Sequence, residues 1–184
     1  MSIEIVIPAV DLFDEDKNKF METDERKIEI EHSLVSLSKW EQKWKLPFLG
    51  NKNITTEQTI DYIKCMCLTP DVPAEAFAAI AYAPDVFKQV NDYITDSMTA
   101  TWFSERGPKH TSSEALTSEV IYYWLVALTI PFETQYWHLN RLLTLIRVTN
   151  IKNDPKKKLM PLAEQQQQQR DLNAERRAKM GTKG

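Results

Sequence analysis

Two short stretches near the N-terminus alternate between apolar and polar residues, a pattern that is typical of β-strands with one buried face. The first is Ile3-Glu4-Ile5-Val6-Ile7 and the second is Lys27-Ile28-Glu29-Ile30-Glu31. Residues 14–18 between them form a polar turn sequence, with Phe13 and Phe20 placed as cross-strand partners. The pattern therefore predicts that the two strands pair as an antiparallel hairpin.

From residue 33 onward the apolar positions recur every three or four residues, which is the period of an amphipathic helix. The first stripe of this kind consists of Leu34, Leu37, Trp40 and Trp44. It ends before Pro47, as a helix does when the residue ahead of a proline is forced out of helical geometry. The predicted structure therefore changes from strands to helices at this point.

Capping boxes and prolines divide the middle of the chain into further helices. Residues 55–58, Thr-Thr-Glu-Gln, have the form of a capping box. The apolar stripe that follows consists of Ile60, Ile63, Cys67 and Leu68, and Pro70 is predicted to end the helix. Pro73 and Pro84 occupy first-turn positions, which predicts short helices over residues 74–81 and 85–94.

A second capping-box sequence at residues 111–114 predicts a longer helix over residues 113–129. This helix is apolar on nearly every side from Val120 to Leu128, a pattern that favours a position at the centre of a domain. Pro131 begins a last predicted helix, over residues 132–149, that would pair with it in the core. The predicted fold class is α+β and mainly α, with a small N-terminal antiparallel β-sheet packed on a helical domain.

The chemistry of the chain changes near Asn153. Aromatic residues are absent after Trp137, whereas a glutamine run and several arginines and lysines follow. A segment with so little to bury is either solvated or held by a partner. The predicted organisation is a globular domain over residues 1–152, with the β-hairpin in 1–32 and the helices in 33–152, and a basic, glutamine-rich C-terminal arm over 153–184.

Charge is distributed unevenly along a chain whose net charge is only −3. The first thirty or so residues carry about six net negative charges, and the stretch from Lys152 onward carries about five positive ones. A basic arm on an acidic body favours self-association or docking onto an acidic neighbour. Nucleic acid is a weaker candidate because the body offers no basic face. For the arm itself, a solubilising role, a partner-binding helix and nucleic-acid contact all stay open.

Residue types that carry catalysis or bind cofactors have no informative spacing in this sequence. His32, His110 and His138 stand singly, without a cysteine or carboxylate at metal-ligand spacing, so structural or surface roles are expected. Cys65 and Cys67 diverge by about 200° around a predicted helix and cannot pair or share a metal, which favours buried reduced thiols. The four glycines form no phosphate-binding loop. We therefore expect no catalytic residues, no cofactor, no metal and no enzymatic activity.

No apolar run reaches the roughly 18 residues of a membrane span, since the run that begins at Val120 is cut short by Pro131. The N-terminus also lacks the basic start and apolar stretch of a secretory signal. We expect a soluble, cytoplasmic protein that does not contact a membrane.

Several strings in the body resemble a family of small proteins from tailed bacteriophages with long non-contractile tails. They are His-Ser-Leu-Val-Ser-Leu-Ser-Lys-Trp-Glu (32–41), Glu-Val-Ile-Tyr-Tyr-Trp (119–124), Ile-Pro-Phe-Glu (130–133) and the most specific, Trp-His-Leu-Asn-Arg-Leu-Leu-Thr-Leu-Ile (137–146). The ending, Leu-Asn-Ala-Glu-Arg-Arg (172–177) and Gly-Thr-Lys-Gly (181–184), is similar to the basic C-termini of phage tail assembly chaperones. These segments are spread along the chain from residue 32 to residue 184.

The resemblance implies a non-enzymatic protein of phage morphogenesis that binds the long helical tape-measure protein during tail assembly and recruits tail-tube subunits. A small helical domain would shield the apolar surface of the tape measure, and the arm would recruit the tube subunits. Client contact is then expected on the exposed edge of the 132–149 helix, at Trp137, Arg141 and Arg147. Recruitment is expected at Arg170, Arg176, Arg177 and Lys179.

The alternative is a virion structural component, such as a head–tail connector or a minor capsid or tail protein, whose arm locks one virion subunit to its neighbour. A DNA-contacting phage protein is less favoured because the body is acidic. A chaperone would act in the cytoplasm of the infected bacterial host, whereas a structural component would remain in the virion.

Overall fold

A computed structural model describes residues 2–14, 19–101, 103, 115–153 and 170 of the chain. The chain divides into two compact units, Met1–Ile146 and Arg147–Gly184. The strands in the described residues are β1 (Ile3–Ile7), β2 (Val10–Asp14), β3 (Lys19–Thr23) and β4 (Arg26–Ile30). The α-helices there are α1 (Leu34–Trp44), α2 (Thr56–Met66), α3 (Ala74–Ala79), α4 (Pro84–Thr95), α5 (Ser118–Ala127) and α6 (Leu139–Asn153). Two 3₁₀ helices cover Ile80–Tyr82 and Phe132–Tyr136. The predicted mainly α fold with a small antiparallel sheet is confirmed.

The N-terminal strands pair as the alternation predicted. β1 runs antiparallel to β4 with Ile5 opposite Ile28, and β2 runs antiparallel to β3 with Phe13 opposite Phe20. The buried side chains of β1 and β4 alternate with exposed ones and are those of Ile5, Ile7, Ile28 and Ile30. The sheet therefore turns one apolar face to the helices, and the predicted pairing of Phe13 with Phe20 is confirmed.

The helix α2 starts where its capping box predicted. The Thr55 hydroxyl accepts the Gln58 backbone N–H at 3.2 Å, and Gln58 Oε1 accepts the Thr55 N–H at 3.0 Å. The predicted end of this helix is wrong, however, because it stops at Met66. Cys67 then forms an antiparallel bridge with Ile30 of β4, so the chain must leave helical geometry.

The burial of the apolar residues at the end of α2 differs from the prediction, because the chain leaves the helix there. Leu68, which was placed on the apolar stripe, is 51% exposed, and Met66 is buried in its stead. The Leu68 N–H donates to the Glu29 carbonyl at 2.8 Å, which extends the sheet edge by a short segment. A contact with a strand far away in sequence therefore overrides the helical period here.

The two proline-initiated helices differ modestly from their predicted bounds. Pro73 is the N-cap of α3 and does not occupy its first turn, and α3 ends at Ala79 before a 3₁₀ turn. Pro84 does occupy the first position of α4, which ends at Thr95.

The last two predicted helices are both shorter than their sequence patterns suggested. Residues 115–117 are not helical and α5 begins at Ser118, while the predicted capping box at 111–114 lies outside the described residues. The predicted 132–149 helix is broken into a 3₁₀ helix and α6, with an extended backbone at Trp137. The break arises because His138 forms a β-bridge with Ser33, a pairing that a helix cannot make.

One buried cluster joins the sheet to the helices of the first unit. Its members include Ile5, Ile30, Leu37, Trp40, Tyr62, Phe77, Ile121, Leu125, Leu142 and Ile146. In this cluster α1 packs against both α2 and α5. Among the residues that the structure describes, no helix combines the length and the apolar content needed to cross a membrane.

Candidate protein-interaction surface

Apolar side chains stand exposed on α5 and on the 3₁₀ helix that follows it. Their exposed fractions are 67% for Tyr123, 63% for Val126, 51% for Phe132 and 56% for Tyr136. Half-buried Tyr122 lies between the two elements, and these five residues are called the aromatic patch below. The prediction that α5 lies at the centre of the domain is wrong, since one face of the helix is buried and the other is exposed and apolar.

Tyr122 joins the two elements of the patch. Its hydroxyl donates to Gln135 Oε1 at 2.9 Å, and its ring centroid lies 6.3 Å from that of Phe132. Val126 is four residues after Tyr122 and three after Tyr123, so helical geometry makes the three side chains neighbours. Burial raises the pKa of Tyr122, which keeps the hydroxyl protonated as the donor of this bond. The patch is therefore a continuous surface across α5 and the 3₁₀ helix.

A tight turn brings the 3₁₀ helix back along α5. Thr129 has a left-handed backbone with φ of 55°, and the Ile130 N–H donates to the Leu125 carbonyl at 2.8 Å. The buried Thr134 hydroxyl donates to the Pro131 carbonyl at 2.7 Å, which ties the first turn of the 3₁₀ helix. Short-range hydrogen bonds of this kind fix the backbone on which Phe132 and Tyr136 are displayed.

The N-terminus of α5 is held by a buried carboxylate from α1. Glu41 Oε2 accepts the Ser118 N–H at 2.7 Å, and Oε1 accepts the Phe48 N–H at 3.1 Å. One side chain thereby satisfies two backbone donors, and it adds a negative charge where the helix dipole favours one. Because Glu41 is buried, this cap anchors α5 rigidly to the core.

The structure brings together two of the residues predicted to bind a partner. Trp137 is half-buried between the 3₁₀ helix and α6, and the Arg141 guanidinium carbon lies 4.4 Å from its ring centroid. Such cation–π stacking orders both side chains. Arg147 and Arg170 are exposed and belong to the second unit. The remaining predicted residues, Arg176, Arg177 and Lys179, lie outside the described residues.

Sequence reasoning missed Tyr123 and Val126, the exposed members of the aromatic patch on α5. The signal was present, because Tyr123 and Val126 are three residues apart in a helix that carries few polar residues. An all-apolar helix was interpreted as fully buried, yet the same pattern also fits a helix that has one face in the core and one available to a partner.

Two histidines that stand apart in the sequence meet in the core. The His32 and His138 ring centroids are 5.0 Å apart, and both side chains are buried. His32 Nδ1 lies 2.6 Å from the Tyr62 hydroxyl, and His138 Nε2 donates to the Tyr93 carbonyl at 3.0 Å. Of the structural and surface roles predicted for the histidines, burial and hydrogen bonding of His32 and His138 fit the structural one, whereas His110 lies outside the described residues.

Burial lowers the pKa of both histidines. The pKa of His32 falls to about 3, first because of burial and second because a protonated His138 would repel a charge on His32. Burial also lowers the pKa of His138, against the opposing hydrogen bond to Tyr93. Both imidazoles are therefore neutral at physiological pH, so they act as hydrogen-bonding groups toward Tyr62 of α2 and Tyr93 of α4.

The cysteines are free, but they are half-buried and not fully buried as predicted. Burial raises the pKa of both Cys65 and Cys67, which keeps them as thiols. No group of three or more potential metal ligands occurs within the described parts of the chain.

A pocket of about 390 Å³ lies between α2 and α3. Its lining includes the apolar side chains of Trp44, Ile60 and Phe77 and the carboxylate of Asp61. The Asp61 carboxylate accepts the Trp44 Nε1–H at 2.8 Å and pairs with Lys43, so its charge is already bound within the fold.

Comparisons of the chain with protein-family models, with curated proteins and with solved structures find no match.

Proposed function

We propose that this protein is a non-enzymatic binding protein that covers an apolar helix of another protein with its aromatic patch. Together with the resemblance described above, this favours a phage tail assembly chaperone whose client is the tape-measure protein. The observation that supports the proposal is the exposure of Tyr123, Val126, Phe132 and Tyr136 on one continuous surface. Contiguous apolar patches of this extent on a protein surface are often functional.

The size of the patch favours a reversible complex. An aromatic side chain presents about 150–250 Å², so the exposed fractions correspond to roughly 450 Å² of apolar surface. Burial of that area contributes on the order of 10 kcal/mol, while association costs about 4–15 kcal/mol. The two terms are similar, so tight binding requires further contacts on the client. A chaperone that must leave its client needs such a balance.

The support beneath the patch suits it to an extended helical client. Because Glu41 caps α5 and Tyr122 ties it to the 3₁₀ helix, the exposed side chains are displayed on a fixed backbone. A preorganised surface loses little conformational entropy on binding. In this proposal Trp137 and Arg141 extend the contact, and the basic residues of the arm recruit the tail-tube subunit.

Co-expression with the tape-measure protein of the same phage genome tests the proposal. We expect the full chain to keep the tape measure soluble and to co-purify with it, and the double substitution Tyr123→Ser with Phe132→Ser to abolish both effects. Tyr82→Ser is the matched control, since Tyr82 is 71% exposed but lies on the other 3₁₀ helix. Retention of the client by the double variant would contradict the proposed surface.

Mass spectrometry of purified particles distinguishes a chaperone from a virion component. A chaperone is expected in infected-cell lysate and not in mature particles. Presence in particles at a fixed copy number would contradict the chaperone proposal and would favour the structural alternative.

A further inference from the structure

The aromatic patch presents enough apolar surface to form the centre of a protein interface by itself. A standard interface buries about 800 Å² on each partner, roughly three fifths of it apolar. The roughly 450 Å² exposed by the patch is close to that apolar share. Apolar patches of this size on a protein surface are often functional, which makes the aromatic patch a candidate for contact with a second copy even when no client is present.

The exposed face of α5 is complementary to a second copy of itself. Tyr123 and Ala127 are both exposed and lie one helical turn apart, with Leu125 midway between them along the axis. If two α5 helices pack antiparallel about a two-fold axis level with Leu125, the large Tyr123 of each copy faces the small Ala127 of the other. Alternation of large and small side chains lets two helices pack closely.

On α5, few charges oppose this contact. Glu119 is the charged residue on the exposed face of α5, one turn before Tyr123 and therefore at the end of the helix pair. The pKa of the Glu119 carboxyl is lowered mainly because the carboxylate accepts a hydrogen bond from the backbone N–H of Glu119, and the charge on Lys45 lowers this pKa further. The carboxylate is thus already stabilised at the helix start. A second copy can cover Tyr123 and Val126 without burying an unpaired charge.

We propose that a second copy of this chain covers the aromatic patch in a two-fold dimer, in which α5 packs antiparallel on its symmetry mate through Tyr123, Val126 and Ala127. The dimer forms without any client. Displacement of the second copy by a client helix, which would use the same surface, rests on the function proposed above.

Sedimentation equilibrium of the full chain from low to high micromolar concentration tests the dimer. We expect a shift from the monomer mass of 21.4 kDa to twice that mass. Ala127→Arg and Tyr123→Ser should each weaken the dimer at least tenfold, while Tyr82→Ser should leave its dissociation constant unchanged. Circular dichroism checks that the variants fold, which is expected because both side chains are exposed. A monomer at every concentration, or a dimer indifferent to Ala127→Arg, would overturn the proposal.

Cross-linking tests the antiparallel geometry directly. In a background with Cys65→Ser and Cys67→Ser, a mixture of Tyr123→Cys and Ala127→Cys chains should form a disulfide faster than either variant alone. Equal rates would overturn the antiparallel pairing.

A wild-type monomer that still binds the tape measure would overturn the dimer alone, and a dimer that does not bind it would overturn the proposed function alone.

Discussion

The His138 ring accepts the backbone N–H of Asn140 at its Nδ1 atom, at 3.3 Å, while its Nε2–H donates to the Tyr93 carbonyl. The bond from Asn140 requires the neutral ring, because a protonated imidazole would turn Nδ1 into a second donor facing the Asn140 N–H. The edge of the His32 ring meets this imidazole at 5.0 Å between centroids. Two positive charges at that distance in the core would also repel each other. The pair therefore makes the fold sensitive to acid.

Acid should unfold this protein through its buried histidines. The pKa of His32 is about 3 in the folded chain and 6.5 in the unfolded chain, so the unfolded chain binds the proton first as pH falls. The stabilisation is complete above pH 6.5 and is lost between 6.5 and 3. We expect His32 to account for a loss of about 2 kcal/mol at pH 5, measured by urea unfolding across a pH series.

Neutral replacements provide the control for this pH dependence. His32→Asn and His138→Gln place an amide near the bonded ring nitrogen but cannot take up a proton. Their free energy of unfolding should be lower at neutral pH, yet it should change less between pH 7.5 and 5 than that of the wild type. Parallel curves for the wild type and the two variants would show that the histidines are not the acid-sensitive groups.

Loss of the Glu41 cap should destabilise the fold by more than a surface substitution does. Glu41→Ala leaves the N–H groups of Ser118 and Phe48 without their acceptor, and buried unsatisfied donors cost about 1–3 kcal/mol each. The expected loss in the free energy of unfolding is therefore at least about 2 kcal/mol. Gln42→Ala, at the exposed neighbouring position, should change it by less than about 0.5 kcal/mol. Equal effects of the two substitutions would contradict the capping role.

Removal of the Thr55 hydroxyl should weaken the start of α2. The capping box loses the bond from the Gln58 N–H, and substitutions of this type cost about 1 kcal/mol. Thr56→Ala is the matched control, since Thr56 is exposed and lies at the first position of the same helix. Thermal unfolding monitored by circular dichroism should give a lower melting temperature for Thr55→Ala than for Thr56→Ala. The reverse order would contradict the prediction.

Local patterns predicted the parts of the fold that are decided by neighbouring residues. The alternation around Ile5 and Ile28 fixed which face of the sheet is buried, and a one-residue slip would have exposed both side chains. The Thr55–Gln58 capping box likewise located the start of α2 because both of its hydrogen bonds lie within one turn.

Long-range contacts decided the features that sequence patterns missed. The end of α2 at Met66 depends on the bridge between Cys67 and Ile30, and the break near Trp137 depends on the bridge between His138 and Ser33. Neither pairing produces a periodic pattern of apolar residues in the sequence. For the candidate site, the sequence pointed to the vicinity of Trp137 and Arg141, but exposure of Tyr123 could not be inferred from an apolar helix alone.

Substitutions in the last two helices should separate core packing from the exposed surface. Leu142 is fully buried, so Leu142→Ala removes packed atoms and should cost about 2–5 kcal/mol of stability. Tyr123 is 67% exposed, and Tyr123→Ser should change the free energy of unfolding of the dilute monomer by less than about 1 kcal/mol. Trp124 is half-buried against the core, so Trp124→Ala should fall between the two. Urea unfolding at a concentration below the dimer range measures all three. If Tyr123→Ser proved as destabilising as Leu142→Ala, Tyr123 would be part of the core and the aromatic patch would lose its central residue.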